Sequence, residues 1–471
     1  MEKRAGWWGA VACVALSLFG GCGEDDAGTG GARATSSSRG GSDGATTGGD
    51  PGRGGAGGTT GASSGTAGAG GEGTGRCAYQ RGWARDVRGG LDGKVISVTT
   101  LDPTGPGSLT EALETEGPRV IVFEVGGVID LGTEAMRIRE PYVTIAGQTA
   151  PSPGITLIRG TLRVGTHDVV VQHLRVRPGV AGQSTGWEPD GIALFQAHDV
   201  IIDHCSVTWA VDENLTASGP RFDGDDVQAW RENTSHRVTF SRNLVAEALR
   251  NATHSKGDHS MGSLIHDNVT EILLWGNLYA SNVARNPLFK GGARGAVVNN
   301  FIANPRLRAV RYALPSSEWD PRPYVTGHLS IVGNVFHHGR DTNGNAALLS
   351  VGGDGPLDVF LDDNVAEDTD GAPAPLLAGN ANLWTETTTA PSWPPEVTAS
   401  PSSGVLAAIQ ADVGARPWDR DAIDTRIVQE ALGGTSNHID HEDEVGGYPQ
   451  HMATSAPFVA ADWDGCFEPA P

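Results

Sequence analysis

Apolar and polar residues alternate along much of the chain, and five of the alternating runs end in the same way. Each run is followed by an asparagine and then by another apolar residue. Asparagine tolerates the left-handed turn conformation, and its side-chain amide can bond an identical amide in a stacked neighbouring turn. A repeated strand-bearing coil with loops of variable length predicts a solenoid. The five asparagines are Asn243, Asn277, Asn300, Asn334 and Asn364.

This pattern favours an all-β fold, a single-stranded right-handed parallel β-helix. The same register extends back to 200–206, where Cys205 takes the place of the asparagine. Residues 108–116 suit a short helix, with Ser108 as its cap and Glu111 three residues later. This helix would close the N-terminal end of the solenoid, where apolar core and strand edges would otherwise be exposed. The C-terminal segment is expected to be irregular.

Composition divides the chain into four parts. Residues 1–22 have the layout of a secretory signal, with Lys3 and Arg4 ahead of a short apolar stretch. Residues 23–75 are rich in Gly, Ser and Thr and lack large apolar side chains, so they predict a disordered tether. The β-helix is expected to occupy 76–410, and 411–471 should pack on it or cap it.

The cysteines indicate where the protein is located relative to the cell. Two small residues before Cys22 resemble the lipobox of bacterial lipoproteins, which would make Cys22 the site of lipidation; an ordinary cleaved signal is the alternative. We therefore expect a secreted or outer-surface lipoprotein of a bacterium, with membrane contact only through that anchor. Cys77 and Cys466 bracket the folded part, and in an oxidising compartment a bond between them would join its two ends.

The formal net charge of -22, from 34 basic and 56 acidic residues, argues against a nucleic acid as partner. A polyanionic substrate would need a local basic cluster or a bound cation. Acidic residues recur near two neighbouring coil turns, and hard oxygens grouped on one surface suggest calcium, although a solvated acidic surface is the alternative. These residues are Glu188, Asp190, Asp212 and Glu213.

Three basic residues follow on later coils, and two histidines flank the first of them. Lys256 lies in HSKGDHSMG, between His254 and His259, which could line a groove and contact substrate. Arg285 and Lys290 lie in NVARNPLFKGG. Their strands should stack directly beyond the acidic residues, so the sequence predicts that both sets share one face of the solenoid.

Several segments resemble motifs of polysaccharide lyase family 1, the pectate lyases, and they follow one another in the order found in that family. They include VIIDHCSV, VTFSRN, the downstream lysine, ARNPLFKGG and VVNNF, together with VTTLDPTGPGSLTEAL and VIVFEVGGVIDL near the start. The resemblance covers roughly residues 90–365. It implies a parallel β-helix, a calcium cofactor and an acidic plant-type polysaccharide, polygalacturonate or pectin, as partner; we expect a monomer.

The resemblance also implies roles for the basic residues. Arg285 would correspond to the catalytic base and Lys256 to the lysine that neutralises the substrate carboxylate. Lys290 would stand where the family has a second, substrate-binding arginine. Free arginine is protonated at neutral pH, so the role of Arg285 implies neighbouring positive charge and alkaline activity.

For the metal, Glu188 and Asp190 would match one pair of calcium ligands and Asp212 a third. The fourth ligand of the family falls on Thr216, which is not acidic, and Glu213 would have to compensate. Three alternatives remain open at this point. One is a β-helix glycoside hydrolase, which would need paired carboxylates; another is a surface protein that binds polysaccharide without turnover; the third is a lyase for a different uronic acid.

Overall fold

The chain forms three parallel β-sheets that run side by side along one solenoid. The computed structural model describes residues 76–468. Thirty strands, β1 to β30, follow in chain order: Lys94–Val98, Arg119–Phe123, Val125–Asp130, Ala135–Ile138, Val143–Ala146, Ile155–Ile158, Thr161–Val164, His167–Gln172, Leu174–Arg177, Ile192–Phe195, His198–Asp203, Ser206–Thr208, Glu213–Ser218, His236–Ser241, Leu244–Ala246, Met261–Ile265, Thr270–Trp275, Leu278–Ala280, Leu288–Lys290, Arg294–Val298, Phe301–Ala303, Val310–Leu314, Gly327–Val332, Val335–His337, Leu349–Gly353, Leu357–Asp362, Val365–Glu367, Leu377–Gly379, Trp384–Glu386 and Thr454–Ser455.

Successive coils contribute one strand to each sheet, so every sheet takes every third strand. Sheet 1 has the order β1-β2-β5-β8-β11-β14-β17-β20-β23-β26-β29, and sheet 2 has the order β28-β25-β22-β19-β16-β13-β10-β7-β4. Sheet 3 runs from β27 to β6 and β3 in the same way and gains β30, which is antiparallel to β3. This arrangement confirms the predicted parallel β-helix.

Equivalent positions of neighbouring coils lie directly above one another and form the core. Val200, Val238 and Ile272 are consecutive register partners in sheet 1, and all three are fully buried. Alternate residues along a strand point to opposite faces, so a period of two places one column inside the solenoid and the next outside. The alternation in the sequence therefore decides which side chains reach the outer surface of each sheet.

The asparagine ladder predicted from the sequence is confirmed. Each amide donates from Nδ2 to Oδ1 of the next one, at 3.1 Å for Asn243 to Asn277, 2.9 Å for Asn277 to Asn300 and 3.0 Å for each of the next two steps. Each Oδ1 also accepts the backbone N–H of the preceding asparagine. At the N-terminal end, the N–H of Cys205 takes that donor place. The ladder satisfies buried polar groups in every turn.

Helices are few and lie at the ends or outside the solenoid. They are α1 (Leu109–Glu114), α2 (Val227–Glu232), α3 (Ser316–Trp319), α4 (Val405–Asp412) and α5 (Ala422–Leu432). Short 3-10 helices cover Gly82–Ala84, Gly147–Thr149, Ser402–Gly404, Glu442–Val445 and Ala460–Asp462. In the described residues, no helix is both long enough and apolar enough to span a bilayer.

Helix α1 is the predicted N-terminal cap. The Ser108 hydroxyl accepts the N–H of Glu111 at 3.2 Å, and Leu109, Ala112 and Leu113 are buried against the first coils. The carboxylate of Glu111 accepts from Gly107, not from the cap residue, so a full capping box does not form.

The C-terminal segment packs on the outer face of sheet 3. Ile409 of α4 and Ile427 of α5 join Leu244, Leu278 and Phe301 in one buried cluster. Residues 410 and 411, between which the sequence placed a boundary, both lie inside α4. Cys77 and Cys466 form a disulfide with their Cα atoms 5.5 Å apart. The predicted signal and tether, residues 1–75, lie outside the described residues.

Four buried charged residues join this segment to the solenoid, and we call them the C-terminal clamp. Arg175 donates to Asp424 at 2.9 Å, and Arg177 donates to Asp421 and Asp424, both at 2.7 Å. Asp421 also caps α5 by accepting the N–H of Asp424. These side chains are at most 2% exposed.

Candidate active site

The predicted site residues lie on the segments that lead into four neighbouring strands of sheet 2. Asp190 precedes β10, Asp212 and Glu213 lie at the start of β13, the segment 254–259 precedes β16, and Arg285 precedes β19. These strands are consecutive in the sheet, and neighbouring strands are about 4.8 Å apart. The coil repeat therefore brings together residues that are up to 95 positions apart in the chain, since 285 minus 190 is 95.

Three carboxylates converge at this point. One oxygen from each of Asp190, Asp212 and Glu213 lies within 4.8 Å of the other two. Burial, and then the charge of Asp212, hold the pKa of Asp190 well above its usual value. Asp190 also accepts the N–H of Glu213 at 3.2 Å. The site thus concentrates more negative charge than its own side chains compensate.

Arg285 provides the positive charge beside this cluster. Its guanidinium donates to Glu213, and the side chain is only 14% exposed. Burial would raise the pKa of Asp212, but a hydrogen bond from His259, and then the charges of His259 and Arg285, outweigh burial and lower it. Glu213 therefore lies near the other two carboxylates and also contacts Arg285, the predicted catalytic base.

The two histidines form part of the wall of the site. The rings of His254 and His259 stack with their centroids 3.8 Å apart, and both are buried. His259 Nε2 lies 2.7 Å from Asp212, while His254 Nε2 lies 3.7 Å from Asp212 and 3.8 Å from Glu188. Burial, and then the charge of His259, lower the pKa of His254. Direct contact of either ring with substrate stays a prediction.

These contacts hold the loop that carries Lys256. His254 Nδ1 accepts the backbone N–H of Lys256 at 3.1 Å, and Glu188 accepts the N–H of Ser255 at 2.7 Å. Burial would raise the pKa of Glu188, but the hydrogen bonds from Ser255 keep it below its usual value. Lys256 itself is exposed. These hydrogen bonds thus hold the backbone of the loop, and its lysine side chain lies at the surface.

Lys290 has a different environment from the one expected for a substrate contact. It lies at the end of β19, is 5% exposed, and its ammonium pairs with Glu318 of α3. Arg221 donates to the same carboxylate at 2.8 Å and to Asp267 at 2.8 Å. In this structure, Lys290 belongs to a largely buried charge network, and its contact with substrate stays a prediction.

Thr216 does not lie with the carboxylates along the strand. It is three residues after Glu213 in β13, which corresponds to about 10 Å of extended chain. Its register partners are Ala193 and Leu264, and its buried hydroxyl has no hydrogen-bond partner in the described residues. Glu213, not Thr216, occupies the position next to Asp190 and Asp212.

The carboxylates fit a calcium ion. Calcium binds several hard oxygen ligands, including carboxylates. Asp190, Asp212 and Glu213 provide such oxygens, and Glu188 lies near Asp212. Sequence reasoning found these four acids but missed that Asp212 also accepts from a buried histidine.

No protein-family model matches the chain. It is 35% identical over 224 residues to a probable pectate lyase C of Emericella nidulans, which covers 47% of this chain and 45% of that protein. It is 28% identical over 395 residues to a probable pectate lyase C of Aspergillus terreus, which covers 82% of this chain and 84% of that protein. The chain therefore spans less than half of the first relative and most of the second.

A solved structure of a pectate lyase bound to a hexasaccharide has the same fold. It matches 73% of this chain and 98% of its own, with a TM-score of 0.50 and 14% sequence identity. The fungal origin of these two relatives contradicts one prediction. The prediction of a bacterial outer-surface lipoprotein is wrong on this comparison, which does not contradict a secreted protein. Cys22, the predicted lipidation site, lies outside the described residues.

Proposed function

We propose that this chain is a calcium-dependent pectate lyase, which cleaves polygalacturonate by β-elimination and leaves 4,5-unsaturated oligogalacturonides. The similarity to a probable pectate lyase across 82% of the chain supports the family. The observation that carries the proposal is the convergence of Arg285 with Asp190, Asp212 and Glu213 on one face of the solenoid. The disulfide is in keeping with an oxidising, extracellular location.

The chemistry follows from the acidity of a uronate. The proton on C5 lies beside a carboxylate, and its removal builds further negative charge on that group. Arg285 accepts this proton, the C–H electron pair becomes the C4–C5 double bond, and the C4–O bond breaks with its electrons on the departing sugar oxygen. Lys256, exposed on its loop, pairs with the substrate carboxylate where the charge develops. A proton then completes the hydroxyl of the departing sugar.

Arg285 has to be uncharged to accept a proton, whereas in this structure its guanidinium is paired with Glu213. The base role therefore requires the pair to loosen when the substrate is bound. A deprotonated guanidinium is scarce at neutral pH, so activity should rise toward alkaline pH.

Asp190, Asp212 and Glu213, with Glu188 beside them, are the residues that would hold calcium. When bound, the ion would supply a positive charge for the substrate carboxylate. His259 keeps Asp212 in place through its hydrogen bond. His254 and Glu188 hold the backbone of the Lys256 loop, so the same acidic wall orients both the proposed metal site and the lysine.

The direct test is ultraviolet absorbance of unsaturated uronides during incubation of the purified chain with polygalacturonate at alkaline pH. We expect absorbance to grow with calcium and to stop on addition of a chelator. Reducing ends without absorbance would indicate hydrolysis, and binding without either product would indicate a surface protein that only holds polysaccharide.

The hydrolase alternative is less well supported by the geometry. A glycosidase needs one carboxyl group as acid and a second as base or nucleophile, about 5 Å apart or more and facing the bond between them. Two of the candidate carboxylates are instead bonded to other side chains, Glu213 to Arg285 and Asp212 to His259. Elimination with an arginine base accounts for these partners.

A further inference from the structure

Three arginines lie side by side on the outer face of the first coils of sheet 2. Arg137 on β4 and Arg163 on β7 are register partners, and Arg139 follows β4 by one residue. Arg137 is exposed between the buried Met136 and Ile138, so its side chain points away from the core. The alternation therefore places this group on the face that also carries the candidate active site.

The charges in this group are not balanced. In the described part of the chain, no carboxylate lies within salt-bridge distance of Arg137, Arg139 or Arg163, and Arg163 Nε is buried without a hydrogen-bond partner. Burial, and then the charges of Arg163 and Arg139, lower the pKa of Arg137, opposed only by Glu134. Like charges opposite each other on neighbouring strands are destabilising. The chain has a net charge of -22, yet its nearby acids, Glu134 and Asp190, form no ion pair with these arginines.

An exposed aromatic ring adjoins the arginines. Phe195 is the last residue of β10, is 48% exposed, and points outward from the same sheet. On the preceding coil, Gly165 follows β7 directly, and a Cβ at that position would meet nothing closer than the Phe195 carbonyl oxygen at 4.0 Å. The space beside the ring is open, and an exposed aromatic face next to cations suits the apolar face of an acidic sugar.

The group lies on the same sheet as the active site. The outward column that holds Arg163 continues through Ala193 and Thr216 to Leu264, whose side chains are short or apolar. The charge of Arg163 acts on Asp190, and Thr161 of the same strand donates to the carbonyl of Asp190 at 2.7 Å. From β4 to β13 is three strand spacings, about 14 Å. The arginines and the carboxylates thus lie on neighbouring strands of one sheet, within a few sugar lengths of each other.

We propose that Arg137, Arg139, Arg163 and Phe195 form a binding site for uronate residues of the polymer several sugars away from the bond that is cleaved. The arginines pair with successive carboxylates, and Phe195 stacks on a sugar ring. This inference rests on the proposed function and adds to it a preference for long chains with free carboxylates, because short oligomers at the reacting centre do not reach β4.

The test compares the double variant Arg137→Gln/Arg163→Gln with the unaltered chain on long polygalacturonate and on a trimer. We expect the ratio of kcat/KM for polymer to kcat/KM for trimer to fall about tenfold, mainly through KM, which corresponds to about 1.4 kcal/mol. Phe195→Ala should lower the same ratio about threefold. Arg88→Gln, which neutralises an exposed arginine outside the three sheets, should leave the ratio unchanged.

Three further measurements test whether the arginines bind the polymer. Migration in gels that contain polygalacturonate measures binding without turnover, and the double variant should be retarded less. The difference should shrink with added salt and with methyl-esterified polymer, which lacks the charges. The melting temperature of the double variant should stay the same or rise, because like-charge repulsion is removed.

An unchanged ratio and unchanged retardation would overturn the inference while leaving the lyase activity intact. A lowered melting temperature with an unchanged ratio would likewise show that the arginines serve the fold alone. If the unaltered chain gives no unsaturated product but is retarded in the gel through these arginines, the proposed function fails and the binding site stands.

Discussion

Two clusters in this molecule are both built from arginine and acidic side chains, but they differ in how far their charges are balanced. In the C-terminal clamp, two arginines and two aspartates are buried together, and each charge has a partner at 2.7 to 2.9 Å. In the candidate active site, Asp190, Asp212 and Glu213 crowd together, and Arg285 pairs with Glu213. The first cluster is balanced and closed, whereas the second has excess negative charge and borders an exposed lysine loop.

We propose that this difference separates charges that hold the fold from charges that bind a cation. A buried ion pair costs desolvation, and it is tolerated when further hydrogen bonds satisfy the remaining atoms, as they do in the clamp. Crowded carboxylates raise one another's pKa and destabilise the folded state. A bound cation would offset this destabilisation. Substitutions in the two clusters should therefore separate activity from stability.

The largest effect is expected for Arg285→Lys. Removing the proposed base should lower the rate of formation of unsaturated uronide at least about a thousandfold, in line with the loss of a general base. The melting temperature and retardation by polygalacturonate should stay close to those of the unaltered chain, since lysine can keep a charge beside Glu213. Absorbance assays under alkaline conditions give the rate.

Retention of more than about a tenth of the turnover by Arg285→Lys would remove Arg285 from the role of base. Lys94→Arg is a suitable control, because this lysine begins β1 of sheet 1 and is exposed.

In the clamp, Asp424→Asn should act on stability alone. It leaves Arg175 and Arg177 without one of their buried anionic partners, and breaking such a pair costs about 3 kcal/mol or more in unfolding free energy. Denaturant titration measures the loss, and calcium affinity should not change. Equal stability of this variant and the unaltered chain would show that the clamp is not a stabilising unit.

The pH dependence of stability should come from a second contact to the C-terminal segment. His204 bonds Asp203 at 2.7 Å and Asp412 at 3.2 Å. Burial alone would lower its pKa, but the charge of Asp203 and these hydrogen bonds raise it to about 9. Because this pKa lies above the value of about 6.5 expected when unfolded, the favourable contribution is complete below about pH 6.5 and is lost as the pH rises through about 9.

We expect this loss to reach about 2 to 3 kcal/mol between pH 6 and pH 10. In His204→Gln the melting temperature should depend less on pH over this interval. An unchanged slope in the variant would assign the pH dependence to other groups.

The sequence predicted those features that repeat. The asparagine ladder and the inward alternation recur in coil after coil, so their period is visible without the structure. Lys290 and the histidine pair could not be placed in the same way, because their partners come from loops without a period. Glu318 follows Lys290 by 28 residues and lies in a short helix outside the sheets. The resemblance placed the fourth ligand on Thr216 and left Glu213 to compensate, and the structure has Glu213, not Thr216, beside Asp190 and Asp212.

The smallest of the expected effects concerns Asp212, which belongs to the proposed metal site and also bonds His259. In Asp212→Asn the amide can still accept from His259, so the fold should persist, but one negative oxygen is lost from the cluster. Calcium affinity measured by titration calorimetry should fall about tenfold, or about 1.4 kcal/mol. Asp86→Asn, a neutralisation on the exposed surface, is the control. If both variants bind calcium equally, the excess charge at Asp190, Asp212 and Glu213 does not serve a cation, and the contrast between the two clusters loses its functional meaning.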